Sequence, residues 1–390
     1  MTTKHPAREP VDPTSGDVTE NELRAALEQA VVDGLPGIAA AIATPRGLLW
    51  TAAAGWADID RQRTLDHRHI FGAGSITKVL VASVVLQLAE QERGLLQRSV
   101  LEVLGERVTR GIANARWTTL EQLLRHASGI PSWEDDPRWI RAGRGVDLDT
   151  TRRWGKSDTL EYIRGHGALF EPGARYSYSN TNHTLLGLAI EQLTGSTAEA
   201  QIRRRLLDPL AMSSSSIEGF EPTDGSRLPR RYHAATPEFV RAAGIHERFH
   251  RVGARLIDVS ASNLSVEWTA GGLISTPTDL TAFALALRTG QILSEAGMHK
   301  LTQWTHTGEN SEVGCGVFRF QHAAGPLVGH TGNVLGFSSC MFWDMNSEAV
   351  FAVCSNAGSM HAGDDVPNAG STALRSPFTA LALRFARQAA

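Results

Sequence analysis

Apolar residues recur at helical spacing from Leu23 to Val31, through Ala26, Leu27 and Ala30. Thr19 and Glu22 stand three apart just before them, the spacing of a capping box, so a helix is expected to start at Thr19. Gly34, Pro36 and Gly37 break the pattern. Ile38 to Ala43 and Leu48 to Ala53 then read as two strands around a Pro45-Arg46-Gly47 turn. From Lys78 to Leu88 the chain is almost continuously apolar (KVLVASVVLQL), and a helix apolar all round belongs inside a large protein. Residues 115–254 mix helical patterns with polar, arginine-rich loops. Strand signals return near Gly271. Thr276, Pro277 and Asp279 read as cap, first residue and third residue of a helix to about Leu287. Strand-like runs follow at 313–320, 326–330, 337–343 and 349–354, and Ser376 with Pro377 is expected to open a last helix.

This order predicts that both chain ends join in one layered α/β unit, residues 19–70 with 255–390. Residues 71–254 are expected to form a mostly helical second lobe, with a site in the cleft between the two. Residues 1–18 are polar, carry Pro6, Pro10 and Pro13, and are expected to be a disordered or loosely attached tail.

Composition narrows the partners. The 390 residues are 42% hydrophobic and 20% charged, which allows a large core without disulfides or metals. A net charge of -3 gives no basic face, so nucleic acid is not expected as a partner. Cys315, Cys340 and Cys354 lie in apolar runs at no metal-binding spacing, and are expected to be buried free thiols in a reducing compartment. The N-terminal segment has no apolar core or small-residue cleavage site, and no run is long enough to cross a membrane. A cytoplasmic protein without membrane contact is the expectation.

Three segments carry chemistry. Phe71-Gly-Ala-Gly-Ser75-Ile-Thr-Lys78 leads into the buried helix. A serine there sits among free N–H groups, and a lysine one turn on can reach its oxygen. Desolvation lowers a lysine's pKa until it accepts a proton. The plainer reading is a capping serine and a surface lysine. In Tyr176-Ser-Tyr178-Ser-Asn180, a loop presents a phenol that could act as base or relay if cations lower its pKa. Asn180 could hold a substrate carbonyl or tether Lys78; otherwise the loop only caps a helix. Gly329-His330-Thr331-Gly332-Asn333 ends a strand-like run, where glycines let a ligand approach the backbone, or where the chain simply turns.

In this order the segments resemble the three motifs of serine β-lactamases, DD-peptidases, D-amino-acid amidases and related esterases. His126-Ala-Ser-Gly-Ile-Pro131 and Ala270-Gly-Gly-Leu-Ile-Ser-Thr276 extend the likeness, which covers roughly residues 19–390. The resemblance implies an α+β fold of the β-lactamase/transpeptidase type: an antiparallel sheet flanked by helices, plus a mostly helical lobe. It implies Ser75 as nucleophile and Lys78 with Tyr178 as proton carriers, without cofactor. It places the oxyanion between the N–H groups of Ser75 and Asn333, in a strand that also brings Thr331 and Gly332 to the substrate. His330 stands where the common pattern has lysine, and a histidine titrates near neutral pH.

The expected substrate is a small amide, peptide or ester. Glu134, in Trp133-Glu134-Asp135-Asp136, sits where amidase-like relatives carry a carboxylate for a free amine, which favours a D-amino-acid amidase or aminopeptidase; the plainer reading is a solvated acidic loop. Alternatives are a carboxylesterase on the same fold, a DD-carboxypeptidase or β-lactamase that would use Arg319 for a substrate carboxylate, and a binding protein that keeps the fold without catalysis. His246-Glu-Arg-Phe-His250 matches a zinc-peptidase motif, with Glu267 as a distant third ligand, but arginines flank it. A surface helix with two histidines is expected there instead, and no metal. No G-x-S-x-G elbow is present.

Overall fold

The computed structural model describes residues 17–308, 311–363 and 365–389. Thr19 caps helix α1 (Glu20–Val32), and Glu22 returns the bond, so the expected capping box forms. Such a cap is worth about 1 kcal/mol. The chain then pairs β1 (Gly37–Thr44), β2 (Gly47–Asp58) and β3 (Arg63–Thr64). The remaining strands of this sheet come from the C-terminal part: β4 (Thr305–His306), β5 (Ser311–Val313), β6 (Phe318–Phe320), β7 (Leu327–Val334), β8 (Phe337–Asp344) and β9 (Val350–Ser355). All neighbours run antiparallel in the order β4-β5-β6-β7-β8-β9-β1-β2-β3.

Successive residues of a strand point to opposite faces, and here both faces are covered. Ile38, Ala40 and Ile42 of β1 pack with Leu23 and Leu27 of α1 and with Phe378 and Leu383 of the last helix. Ala39 and Ala43 face the other way, into the core that holds Leu280, Phe283 and Leu287 of the helix Pro277–Arg288. That helix begins as expected, with Thr276 accepting the Asp279 N–H and proline in its first turn. Helix α2 (Thr77–Gln91) lies deeper still: every residue from Thr77 to Leu86 is buried. Gly316, at φ 78, is pressed against it, and a Cβ there would stand 2.6 Å from that of Ala82.

Several expectations change. The run 313–320 is a hairpin, not one strand, because Gly314-Cys315-Gly316 turns the chain between β5 and β6. Strand β7 continues through the His330–Asn333 motif to Val334, paired along its length with β8, so the motif lies inside a strand. The middle segment contains strands at Tyr232–Ala234 and His250–Val252, which form a four-stranded sheet with Leu256–Asp258 and Ala357–Gly358 from beyond it. An additional helix, Ala369–Arg375, ends at Ser376; Ser376 Oγ then accepts the N–H of Phe378, first residue of the final helix Phe378–Gln388. Of the expected tail, residues 1–16 lie outside the described residues. Val18 is buried, and its N–H donates to Gln388 at 3.1 Å. The cysteines are free and buried. Among the described residues no helix is long and apolar enough to cross a membrane.

Candidate active site

Ser75 lies in a single tight turn, Gly74–Ile76, that runs straight into α2. Two glycines let this turn touch the sheet. Gly74, at φ 54, would place a Cβ 2.7 Å from the Asn333 backbone nitrogen, and a Cβ on Gly332 would stand 2.0 Å from the Ala73 carbonyl oxygen. The serine turn and β7 therefore meet backbone to backbone, with the Asn333 N–H beside residue 74.

Lys78 lies one helical turn from Ser75 and has no exposed surface. Its Nζ donates to Ser75 Oγ at 3.0 Å and to the Ala270 carbonyl at 2.5 Å. Burial drives the ammonium's pKa down to about 7, against the opposing pull of Glu134 and Glu267. A large fraction of this lysine is thus neutral near neutral pH, with a lone pair for the serine proton.

Tyr178 arrives from the loop before the helix α3 (Asn180–Thr194), and its OH donates to Ser75 Oγ at 2.7 Å. Its ring lies under Lys78 Nζ at 5.0 Å and packs near Phe318 and His330. Burial pushes the phenol well above its usual 10, opposed by the Ser75 hydrogen bond. The lowering by cations that a basic phenolate would require is not found. Tyr178 is therefore a protonated phenol and not a resting phenolate.

His330 is corrected in the same way. Burial first, and Lys78 second, press its pKa down to about 3, so it is neutral and does not titrate near neutrality. Its Nδ1 donates to the Thr331 carbonyl at 2.5 Å, while Nε2 is buried without a protein partner. The ring packs edge-on against Phe318 at 5.0 Å.

Asn180 does not tether Lys78 in this structure. Its amide N–H donates to Glu134, and its Oδ1 is buried without a partner. Glu134 also accepts from Arg144, and Arg144 donates to Glu267 at 3.0 Å. Arg144 and Glu267, both buried, were not singled out for this role: Arg144 is one of many arginines in its segment, and Glu267 stood out only as a metal ligand. Burial raises the Glu267 carboxyl to about 7, with Glu134 adding to the rise and Arg144 opposing it. Lys78 thus faces a buried cluster in which two carboxylates share one guanidinium.

The site brings together Ser75, Lys78, Tyr178, Asn180, Glu134, His330, Gly332 and Asn333, with Thr331 half-buried on the same strand. Arg319 is not among them. It lies on the face of β6 opposite Phe318, paired with Glu312 across β5 and stacked over Trp304 at 5.2 Å. Phe318 is the β6 residue that reaches the site.

The expected helix at His246–His250 does not form. The helix Pro237–Ala243 ends at Gly244 (φ 69), His246 lies in the following loop, and His250 opens a strand and faces Asp60 at 3.3 Å. Among the described residues no three His, Cys, Asp or Glu side chains are grouped to hold a metal ion.

The chain is similar to esterase EstB of Burkholderia gladioli, 29% identical over 243 residues, or 59% of this chain and 60% of EstB. It is 26% identical over 221 residues to an unguisins hydrolase of Aspergillus violaceofuscus, covering 37% of that protein. The chain thus spans less than two thirds of these curated relatives. Among solved structures, a D-stereospecific amidohydrolase from Streptomyces is 29% identical, with 87% of this chain and 95% of that one aligned at a TM-score of 0.73. The D-amino acid amidase of Ochrobactrum anthropi SV3, complexed with D-phenylalanine, aligns over 95% of this chain and 99% of its own at a TM-score of 0.79 and 22% identity, a likeness of fold. The family model described as Beta-lactamase matches residues 23–373. With a match over most of its length, the chain belongs to the Beta-lactamase family.

Proposed function

We propose that the protein is a serine hydrolase that forms an acyl-enzyme through Ser75 and cleaves amide bonds of small D-configured substrates bearing a free amine. The carrying observation is the sharing of Ser75 Oγ between Lys78 Nζ at 3.0 Å and the Tyr178 hydroxyl at 2.7 Å. Neutral Lys78 takes the Ser75 proton as Oγ bonds to the substrate carbonyl carbon. The oxyanion that forms is held by the Ser75 and Asn333 N–H groups, each such donor being worth about 10²–10³ in rate. The intermediate collapses with cleavage of the bond to the leaving nitrogen. That nitrogen takes a proton from Tyr178, which recovers one from Lys78. Water then adds to the acyl carbon, gives its proton to the same pair, and the proton returns to Ser75 as the acid departs.

The amine preference rests on Glu134 and on the likeness to the Streptomyces amidohydrolase. Both Glu134 oxygens already have donors, Arg144 and Asn180. A substrate ammonium would be a third donor on a carboxylate that accepts about four. Carboxylesterase activity is the second reading, favoured by the likeness to EstB. A carboxypeptidase that reads a substrate carboxylate has less support, since Arg319 points away.

The test is hydrolysis of D- and L-phenylalaninamide, N-acetyl-D-phenylalaninamide and D-phenylalanine ethyl ester, with Ser75→Ala as blank. The proposal expects turnover of the free-amine D-amide at least about 10-fold above the acetylated and L-amides, a gap of about 1.4 kcal/mol in transition-state binding. Equal rates on free and acetylated amides would remove the amine preference. Turnover of esters alone would leave the esterase reading.

A further inference from the structure

The hydroxyl of Tyr178 works only if it stays on Ser75, yet it comes from a loop that precedes α3. What fixes that loop is His126. The residue follows the short helix Leu120–Leu124, is fully buried, and sits in the left-handed region at φ 53. Its carbonyl accepts the Ser177 N–H at 2.9 Å, and its ring Nδ1 accepts the Ser179 N–H at 3.1 Å. Its ring stacks on that of Tyr178, with centroids 4.4 Å apart and planes 27° from parallel. The residues on either side of Tyr178, and the phenol itself, are therefore all held by one side chain and its backbone.

The loop that carries His126 is itself fastened. The Ala127 carbonyl accepts the Gly173 N–H at 2.7 Å, and Ser128 Oγ donates to Asn182 of α3 at 2.8 Å. Because Nδ1 accepts, the ring is neutral with its hydrogen on Nε2. Burial keeps it so, holding its pKa well below 6.5.

We propose that His126 is a positioning residue that clamps Tyr178 from three sides and so sets the proton delivery to the leaving group. The proposal rests on the hydrolase reading above. It differs from a core-filling role in what it touches: proton transfer to the leaving group, and not the fold in general. A shift of about 1 Å in a reacting group can cost up to about 100-fold in rate.

The experiment compares the ethyl and p-nitrophenyl esters of D-phenylalanine, which carry the free amine of the proposed substrates. The two esters give the same acyl-enzyme, but ethoxide needs a proton to leave and nitrophenolate does not. His126→Asn keeps an acceptor and tolerates the left-handed backbone while it removes the ring; His126→Phe keeps a ring and removes the acceptor. Each is made in the wild-type and Tyr178→Phe backgrounds, with melting temperature as a folding control. The clamp expects kcat/KM to fall about 10-fold on the ethyl ester and less than about 2-fold on the nitrophenyl ester, with no further loss once Tyr178 is phenylalanine. Equal losses on both esters, or losses that add to that of Tyr178→Phe, would overturn it and leave His126 a packing residue. If His126→Phe fails to fold, His126→Asn alone decides. A wild-type protein that turns over neither ester would overturn the hydrolase reading, and this role with it.

Discussion

Lys78 and its neighbours show how burial sets chemistry at a single residue. A wholly buried lysine loses hydration that favours its charged form, and its pKa falls to about 7. In the proposed mechanism the neutral amine is the reactive form, so kcat/KM should rise with pH through an apparent pKa near 7, shared with the neighbouring Glu267 carboxyl, and flatten above it. A pH–rate profile checks this; a limb near 10 would mean that Lys78 stays charged through the neutral range. Lys78→Arg keeps the charge but cannot release a proton at these pH values. It should cost about 10³-fold in kcat, within the range for a lost general base. His330, pressed down to about 3, contributes no limb near neutrality, so His330→Asn should leave the midpoint of the profile in place.

Between elements, the decisive contact is the serine turn against β7. It depends on Gly74 and Gly332, where any side chain would collide with backbone. Gly332→Ala should push β7 away from Ser75 and lower kcat/KM by about 100-fold, with the far-UV circular dichroism unchanged. Activity within about 3-fold of wild type would show that the contact is not needed. Arg319→Ala, on the far face of β6, should change kcat/KM by less than about 2-fold, as expected for a half-exposed ion pair remote from the reacting atoms. Elements with local signatures were legible in the sequence: the Thr19 capping box, the Thr276-Pro277 helix start, and the all-apolar α2. The β5–β6 hairpin was not, since Gly314 and Gly316 flank a cysteine within one apolar run. The face of Arg319 was equally hidden, because strand alternation relates it to Phe318 without saying which side meets the cleft.

The whole molecule joins residues far apart in sequence, and here the sequence was least informative. Ser75, Lys78, Tyr178 and His330 stood out because their motifs carry local patterns. Arg144 and Glu267 have none; they meet only when the lobe holding Glu134 closes on the segment before Ala270. Removing one partner of a buried ion cluster strands the others without compensation. Arg144→Met should therefore cost about 3–5 kcal/mol, measured by urea denaturation, while a loss under about 1 kcal/mol would show that the carboxylates find other partners. The central claim concerns the nucleophile itself, and intact-protein mass spectrometry after treatment with a fluorophosphonate tests it most directly. The account predicts one covalent adduct on the wild-type chain, mapped to Ser75, and none on Ser75→Ala. An unlabelled wild-type protein, or equal labelling of Ser75→Ala, would contradict it.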